Sequence, residues 1–215
     1  MLSTPLFIHM SLCLQMLLII SSLVIQPTHA VMRTSFKSMN SLEQIWIGLG
    51  GGSWTYTTMR ACTYDYELQT YEGIEWDFSK NPVSGEYTAD ACTNEPEVDT
   101  GYTRMQGVQC ECNSESVCEV TRLVLPCANL QGTMPSALQE LKITYLDLNN
   151  NPGLTGTLPN WFGSSAALSQ LSQVYIYNTG LSGTLPTQLG GLSELNTLYL
   201  SNNAFTGTIP PLYNT

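Results

Sequence analysis

VTRLVLPCANLQGTMPSAL (residues 120–138), ITYLDLNNNPGLTGTLPNWF (143–162), SQVYIYNTGLSGTLPTQL (172–189) and LNTLYLSNNAFTGTIPP (195–211) state one pattern four times. The Gly-Thr-x-Pro element recurs at Gly132, Gly156, Gly183 and Gly207, in steps of 24, 27 and 24 residues. A fixed period of this length is the mark of a stacked repeat. Each copy opens on alternating apolar residues: Leu123/Leu125, Leu146/Leu148, Val174/Ile176 and Leu198/Leu200. Such a short strand sends alternate side chains to opposite faces. One strand cannot bury its apolar face alone, whereas stacked copies bury a continuous core. A polar turn follows, then an apolar residue that returns inward: Leu130, Leu154, Leu181 or Phe205. The Gly admits backbone conformations closed to other residues, and the Pro stops regular helix.

The pattern closely resembles the plant-type leucine-rich repeat, LxxLxLxxNxLxGxIPxxLgxL, over about 90 residues. The resemblance implies an α/β repeat: a right-handed leucine-rich-repeat solenoid with a parallel concave β-sheet and a disulfide-bonded N-terminal cap. The consensus Asn, which satisfies backbone groups inside the turn, stands at Asn203 and, with one residue inserted, at Asn151. Ala128 and Thr179 replace it in the other copies. Thr can still hydrogen-bond locally and Ala cannot, so the first turn is expected to be the less regular. The longer step, with Asn160-Trp161-Phe162-Gly163-Ser164-Ser165, reads as an insertion on the outer face.

Upstream, three regions are expected: a signal peptide over 1–30, a cap over 31–119, and repeats over 120–215. Residues 1–30 hold no Lys, Arg, Asp or Glu, and their apolar run from Leu12 to Ile25 is too short to span a membrane comfortably. Thr28-His29-Ala30 gives a secretory signal cut after Ala30, the alternative being an uncleaved anchor. In the cap, Ser41–Leu49 reads as a short amphipathic helix ended by Gly50-Gly51-Gly52. Met105–Cys110 reads as an extended segment able to pair with Val120–Leu125. Both ends resemble the N-terminal cap of plant-type repeats, through Trp54 and through Gly107, Val108 and Cys110. Met105 stands where that cap carries a second tryptophan. Residues 57–103 fit no family, and they read as a solvated acidic loop pinned by disulfides.

Six cysteines follow the signal: Cys62, Cys92, Cys110, Cys112, Cys118 and Cys127. An even count in an exported chain points to disulfides, and connectivity stays open on sequence alone. Cys112 and Cys118 flank a polar turn and form the expected local bridge. The resemblance to the cap implies Cys92 with Cys110, which leaves Cys62 and Cys127. No zinc or other metal site is expected, because Cys110-x-Cys112 is tight and both histidines precede residue 30.

The net charge is −10, of which 31–119 carries 14 acids against 5 bases. That surface repels nucleic acid and anionic lipid. Without His beyond residue 29, no Ser-His or Cys-His nucleophile forms. Glu72, Glu75 and Asp77 could in principle serve glycoside hydrolysis, but they sit in no recognisable scaffold. The expectation is a chain that is not an enzyme and needs no cofactor.

What remains is a surface. The residues between the buried pairs face the concave side, and two rows form across the strands: Arg122, Tyr145, Gln173, Thr197, and Val124, Asp147, Tyr175, Tyr199. Tyr pairs a rigid ring with a hydroxyl and suits peptides and sugars; it also simply suits strands. The candidate contact residues are Arg122, Tyr145, Asp147, Asn149, Tyr175, Tyr177 and Tyr199. Two functions stay open. One is a secreted or cell-surface recognition module for an extracellular protein, peptide or polysaccharide. The other is a structural wall or matrix protein with the solenoid as spacer. Polygalacturonase inhibitors and plant receptor kinases resemble the first. No closing cap is read after the fourth Gly-Thr-x-Pro, so a truncated chain is expected, the alternative being a partner over that end, with any membrane attachment made through a segment not present in it.

Overall fold

The computed structural model describes residues 33–53, 60–64, 67–72, 82, 103–105 and 107–211. The expected signal peptide and most of the acidic stretch lie outside these residues. So do Trp54 and the carboxylates Glu75 and Asp77.

The chain enters as β1 (Arg33–Thr34) and α1 (Phe36–Gly48). The helix begins five residues earlier than the apolar pattern suggests, because Ser35 caps it: the Ser35 Oγ accepts from the Ser38 N–H at 3.1 Å. Such caps contribute about 1 kcal/mol. The Ser35 and Ser38 hydroxyls also donate to Glu119 Oε2 at 2.9 and 2.6 Å, which ties the helix start to the first repeat strand. Met39, Leu42, Ile45 and Leu49 recur at helical spacing and are buried on one face. Gly50, at φ 70°, ends the helix as the sequence suggests.

In the acidic stretch, strands replace part of the expected loop. β2 (Arg60–Tyr64) and β3 (Glu67–Glu72) pair antiparallel, and β4 (Thr103–Met105) adds in parallel to β3. β5 (Gly107–Cys112) then pairs antiparallel with β6 (Val117–Val124). Cys112 faces Cys118 across this hairpin and is bonded to it, as expected. Asn113 closes the turn, its Oδ1 accepting from the N–H groups of Glu115 and Val117 at 3.0 Å. Cys110 and Cys127 are also in disulfides. The expected pairings Cys92–Cys110 and Cys62–Cys127 each involve a side chain outside the described residues.

The repeats contribute two parallel sheets. The first runs β1-β6-β8-β10-β12, with β8 (Tyr145–Asp147), β10 (Gln173–Tyr175) and β12 (Thr197–Tyr199). The second runs β13-β11-β9-β7, with β7 (Gly132–Thr133), β9 (Asn151–Thr157), β11 (Thr179–Thr184) and β13 (Ala204–Thr206). Between the sheets lie Leu123, Leu125, Leu146, Leu148, Leu154, Val174, Ile176 and Leu181, all at 1% exposure or less. Removing a Leu from water contributes about 2 kcal/mol. In the fourth copy, Leu198, Leu200 and Phe205 are half-buried.

The Gly of each Gly-Thr-x-Pro takes φ +96, +86, +79 and +82° in chain order, a region that a β-carbon disfavours. After each of the first three Pro comes a 3₁₀ turn: Ser136–Glu140, Asn160–Gly163 and Thr187–Gly191. These turns bury Leu138, Phe162 and Leu189, each three residues after the Pro. Trp161-Phe162 therefore belongs to the regular repeat and not to an insertion. The extra residues follow it, around a second short turn at Ala166–Leu168.

Candidate functional site

Concave-sheet register follows the two rows read from the sequence. Arg122 pairs with Tyr145, Tyr145 with Gln173, and Gln173 with Thr197. Val124 pairs with Asp147, Asp147 with Tyr175, and Tyr175 with Tyr199. Neighbouring strands in such a ladder lie about 4.8 Å apart, a spacing that lets aromatic rings on successive strands stack. The Tyr175 and Tyr199 rings stack at 5.3 Å between centroids and 19° between planes. Tyr145 meets Tyr175 diagonally at 5.4 Å and 36°. At the other end the Arg122 guanidinium lies 4.0 Å from the Tyr145 centroid, a cation–π contact. Arg122, Tyr145, Tyr175 and Tyr199 thus form one continuous stack across four strands. Arg122, Tyr145, Tyr175 and Tyr177 are half-buried, and Tyr199 is 54% exposed.

Two candidates do not share this exposure. Asp147 is 0% exposed and Asn149 1%. Their side chains were expected to meet a ligand; they are buried instead. Asp147 Oδ1 accepts from both the backbone N–H and the Nδ2 of Asn149. Asn149 Oδ1 accepts from Asn150 Nδ2 at 2.6 Å, and Asn150 Oδ1 accepts from Asn178 Nδ2 at 2.7 Å. A polar chain therefore runs along the strand ends from the second repeat into the third. The two bonds from Asn149 offset part of the cost of burying the Asp147 carboxylate, through Oδ1. The pattern reading could not separate Asp147 from Tyr175, since both occupy the same row. Only the size of the neighbouring Tyr rings distinguishes a covered short side chain from an uncovered long one.

Sequence reading did not single out Gln173 or the pair Asn150 and Asn178. Gln173 Oε1 accepts from the Tyr175 hydroxyl at 3.3 Å. Asn150 and Asn178 occupy left-handed positions at φ 56 and 53°, which Asn tolerates. The run Asn149-Asn150-Asn151 was the available signal. Among the described residues, no group of three or more His, Cys, Asp or Glu is placed to hold a metal ion.

A family model for the leucine-rich repeat matches residues 142–165 and 194–214. Those segments are leucine-rich repeats, and the chain is similar to plant-type leucine-rich-repeat proteins. Two curated relatives, both probable leucine-rich-repeat receptor-like serine/threonine-protein kinases of Arabidopsis thaliana, are 34% identical over 95 residues and 36% identical over 122. Those matches cover 44% and 54% of this leucine-rich-repeat chain but 9% and 11% of the relatives, so it spans about a tenth of their length. The kinase activity in their names is theirs. Among solved structures, the leucine-rich-repeat ectodomain of the receptor kinase SOBIR1 from Arabidopsis thaliana superposes with a TM-score of 0.53 at 20% identity, over 81% of this chain and 71% of that one. That likeness concerns the fold.

Proposed function

We propose that this leucine-rich-repeat chain is a secreted or cell-surface recognition module. It binds an extracellular protein, peptide or glycan along the concave ridge of Arg122, Tyr145, Tyr175, Tyr177 and Tyr199. One observation carries this reading. The sheet face away from the core holds an ordered stack of three Tyr rings ended by an Arg. Core packing does not need these side chains. Tyr and Arg are the residues that dominate binding surfaces, and a stack already ordered in the free protein loses little freedom on binding. The receptor-type relatives agree with recognition as the task and with an extracellular setting. No helix among the described residues is long and apolar enough to cross a membrane.

The test is a binding screen of extracellular peptides and wall glycans, followed by substitution. Tyr175→Ala and Tyr199→Ala should each weaken the bound ligand by on the order of 2 kcal/mol, about thirtyfold in Kd. Thr184→Ala, on the outer sheet, should leave affinity unchanged. Normal binding by both Tyr variants would remove the ridge from the site. Loss of binding only on substitution within 64–78 would move the site to the acidic stretch. A chain that binds nothing in the screen would favour the spacer reading.

A further inference from the structure

We propose that Tyr175 and Tyr199 are a site of oxidative cross-linking, at which a one-electron phenol oxidant such as a haem peroxidase with hydrogen peroxide joins the two rings into a dityrosine staple between β10 and β12.

The geometry singles out this pair. Phenoxyl radicals couple through the faces of their rings, ortho carbon to ortho carbon, so two phenols held face to face are poised for it. Tyr175 and Tyr199 stand in direct register on adjacent strands, their centroids 5.3 Å apart and their planes within 19°. Free tyrosines must diffuse together and orient before coupling; here the sheet has already brought them together, the gain that fixed orientation gives any two-centre reaction. Tyr199 is 54% exposed, which opens it to an oxidant in solution. The Tyr175 hydroxyl donates to Gln173 Oε1 at 3.3 Å, which gives its proton an acceptor as the electron leaves.

Tyr145 is the internal contrast. Its ring lies at a similar distance from Tyr175, 5.4 Å, but is tilted by 36°. It also carries the Arg122 guanidinium 4.0 Å from its centroid. A cation held on a ring face is stabilised by the ring's electron density, so withdrawing an electron from that ring is less favourable. Tilt and charge both steer coupling away from Tyr145 and towards Tyr199.

The step balances. Each phenol gives up one electron and one proton, a carbon–carbon bond forms between the ortho carbons, and the two ortho hydrogens return to the oxygens. The two hydrogen atoms lost overall, with the oxygen–oxygen bond of one hydrogen peroxide broken, yield two waters.

The chain lends itself to the measurement. Glu140 and Glu194 are the only glutamates after residue 120, and cleavage at Glu194 separates Tyr175 from Tyr199. The full chain is treated with a haem peroxidase and limiting hydrogen peroxide. The monomer is then isolated, denatured, reduced and cleaved after glutamate. Peptide 141–194 should be recovered joined to peptide 195–215, two hydrogens lighter than their sum, with dityrosine fluorescence. The joined peptide should disappear in Tyr175→Phe and in Tyr199→Phe, and persist in Tyr145→Phe, Tyr177→Phe and Tyr213→Phe. Phe keeps the ring and the stack, so loss of the product reports loss of the phenol and not of the fold. Absence of the joined peptide in the native monomer, its survival in Tyr199→Phe, or its appearance only in dimers would each overturn the proposal.

Discussion

The second and fourth repeats use the same parts and bury them differently. In the second, Asn151 is 0% exposed, and its Nδ2 donates to the carbonyls of Leu148 at 2.9 Å, Asn149 at 3.0 Å and Leu125, one repeat earlier, at 2.8 Å. Its Oδ1 accepts from the Leu130 N–H at 3.0 Å. In the fourth, Asn203 repeats the arrangement on Leu200 and Ser201, and on Ile176 one repeat earlier, but stands half-buried. Each Asn thus serves the turn before it as well as its own. This explains how the first and third repeats dispense with the residue. The turn at Ala128 is held by Asn151 reaching back. At Thr179, a hydroxyl joins the line: the Leu181 N–H donates to Thr179 Oγ1, which donates to Asn203 Oδ1. The first turn is still the less regular one, as anticipated from Ala128: it holds two left-handed residues, Cys127 at φ 53° and Asn129 at φ 58°, where each later turn holds one, Asn150, Asn178 or Asn202. A repeat array can omit its consensus residue in alternate copies if the next copy supplies it.

The largest difference between the two repeats should come from these asparagines. Asn151→Ala leaves one N–H and three carbonyls without their partner in a dry core. A buried polar group so orphaned costs about 1–3 kcal/mol, and several together should cost on the order of 4 kcal/mol. Asn203→Ala removes three carbonyl bonds and those from the Thr179 N–H and hydroxyl where water can take over, and should cost about 1 kcal/mol. Guanidinium denaturation of the two variants measures the gap. Equal losses would mean that the fourth turn is as dry as the second.

A smaller difference is expected in the core. Leu146 is 0% exposed, while its counterpart Leu198 is half-buried. Leu146→Ala should cost about 3 kcal/mol, since the cavity is closed on all sides, and Leu198→Ala about half of that. The ratio of the two denaturation shifts is the informative quantity. A ratio near one would show that β12 is covered as completely as β8.

The sequence carried much of this and stopped at identifiable places. Strand positions and the register of both concave rows were legible because each follows from a period, namely 2 along a strand and 24 to 27 along the chain, and the Cys112–Cys118 bridge was legible from the short polar turn between the two cysteines. The recruitment of Asn151 and Asn203 to neighbouring turns was not, because it depends on which way a side chain leaves a left-handed turn. Nor was the burial of Asp147, which shares its row with the exposed Tyr199, or that of Asn149 at the strand end. The hairpin β2–β3 escaped because its strand, Glu67–Glu72, is as polar as a loop, and its placement against β4 is a long-range pairing. The longer repeat was misplaced by a few residues, since Phe162 at a position otherwise occupied by Leu looks like an addition until its burial is seen.

The glycines should show no difference between the two repeats, and that is what makes them the control. Gly156 and Gly207 sit at φ +86 and +82°. A β-carbon on either would meet one methyl group of the preceding repeat, Thr133 Cγ2 at 3.0 Å or Thr184 Cγ2 at 3.1 Å. The penalty for an L residue in this region is about 1–2 kcal/mol and arises from its own backbone, not from how deeply the turn is buried. Gly156→Ala and Gly207→Ala should therefore cost the same, within about 0.5 kcal/mol, an ordinary margin for matched sites. If both lose 1–2 kcal/mol together, the contrasts at Asn151/Asn203 and Leu146/Leu198 reflect burial and not a general softness of the fourth repeat. A nearly neutral Gly207→Ala beside a costly Gly156→Ala would mean the opposite: the last turn shifts its φ to accommodate the methyl group, and its positive φ is not enforced by the repeat before it.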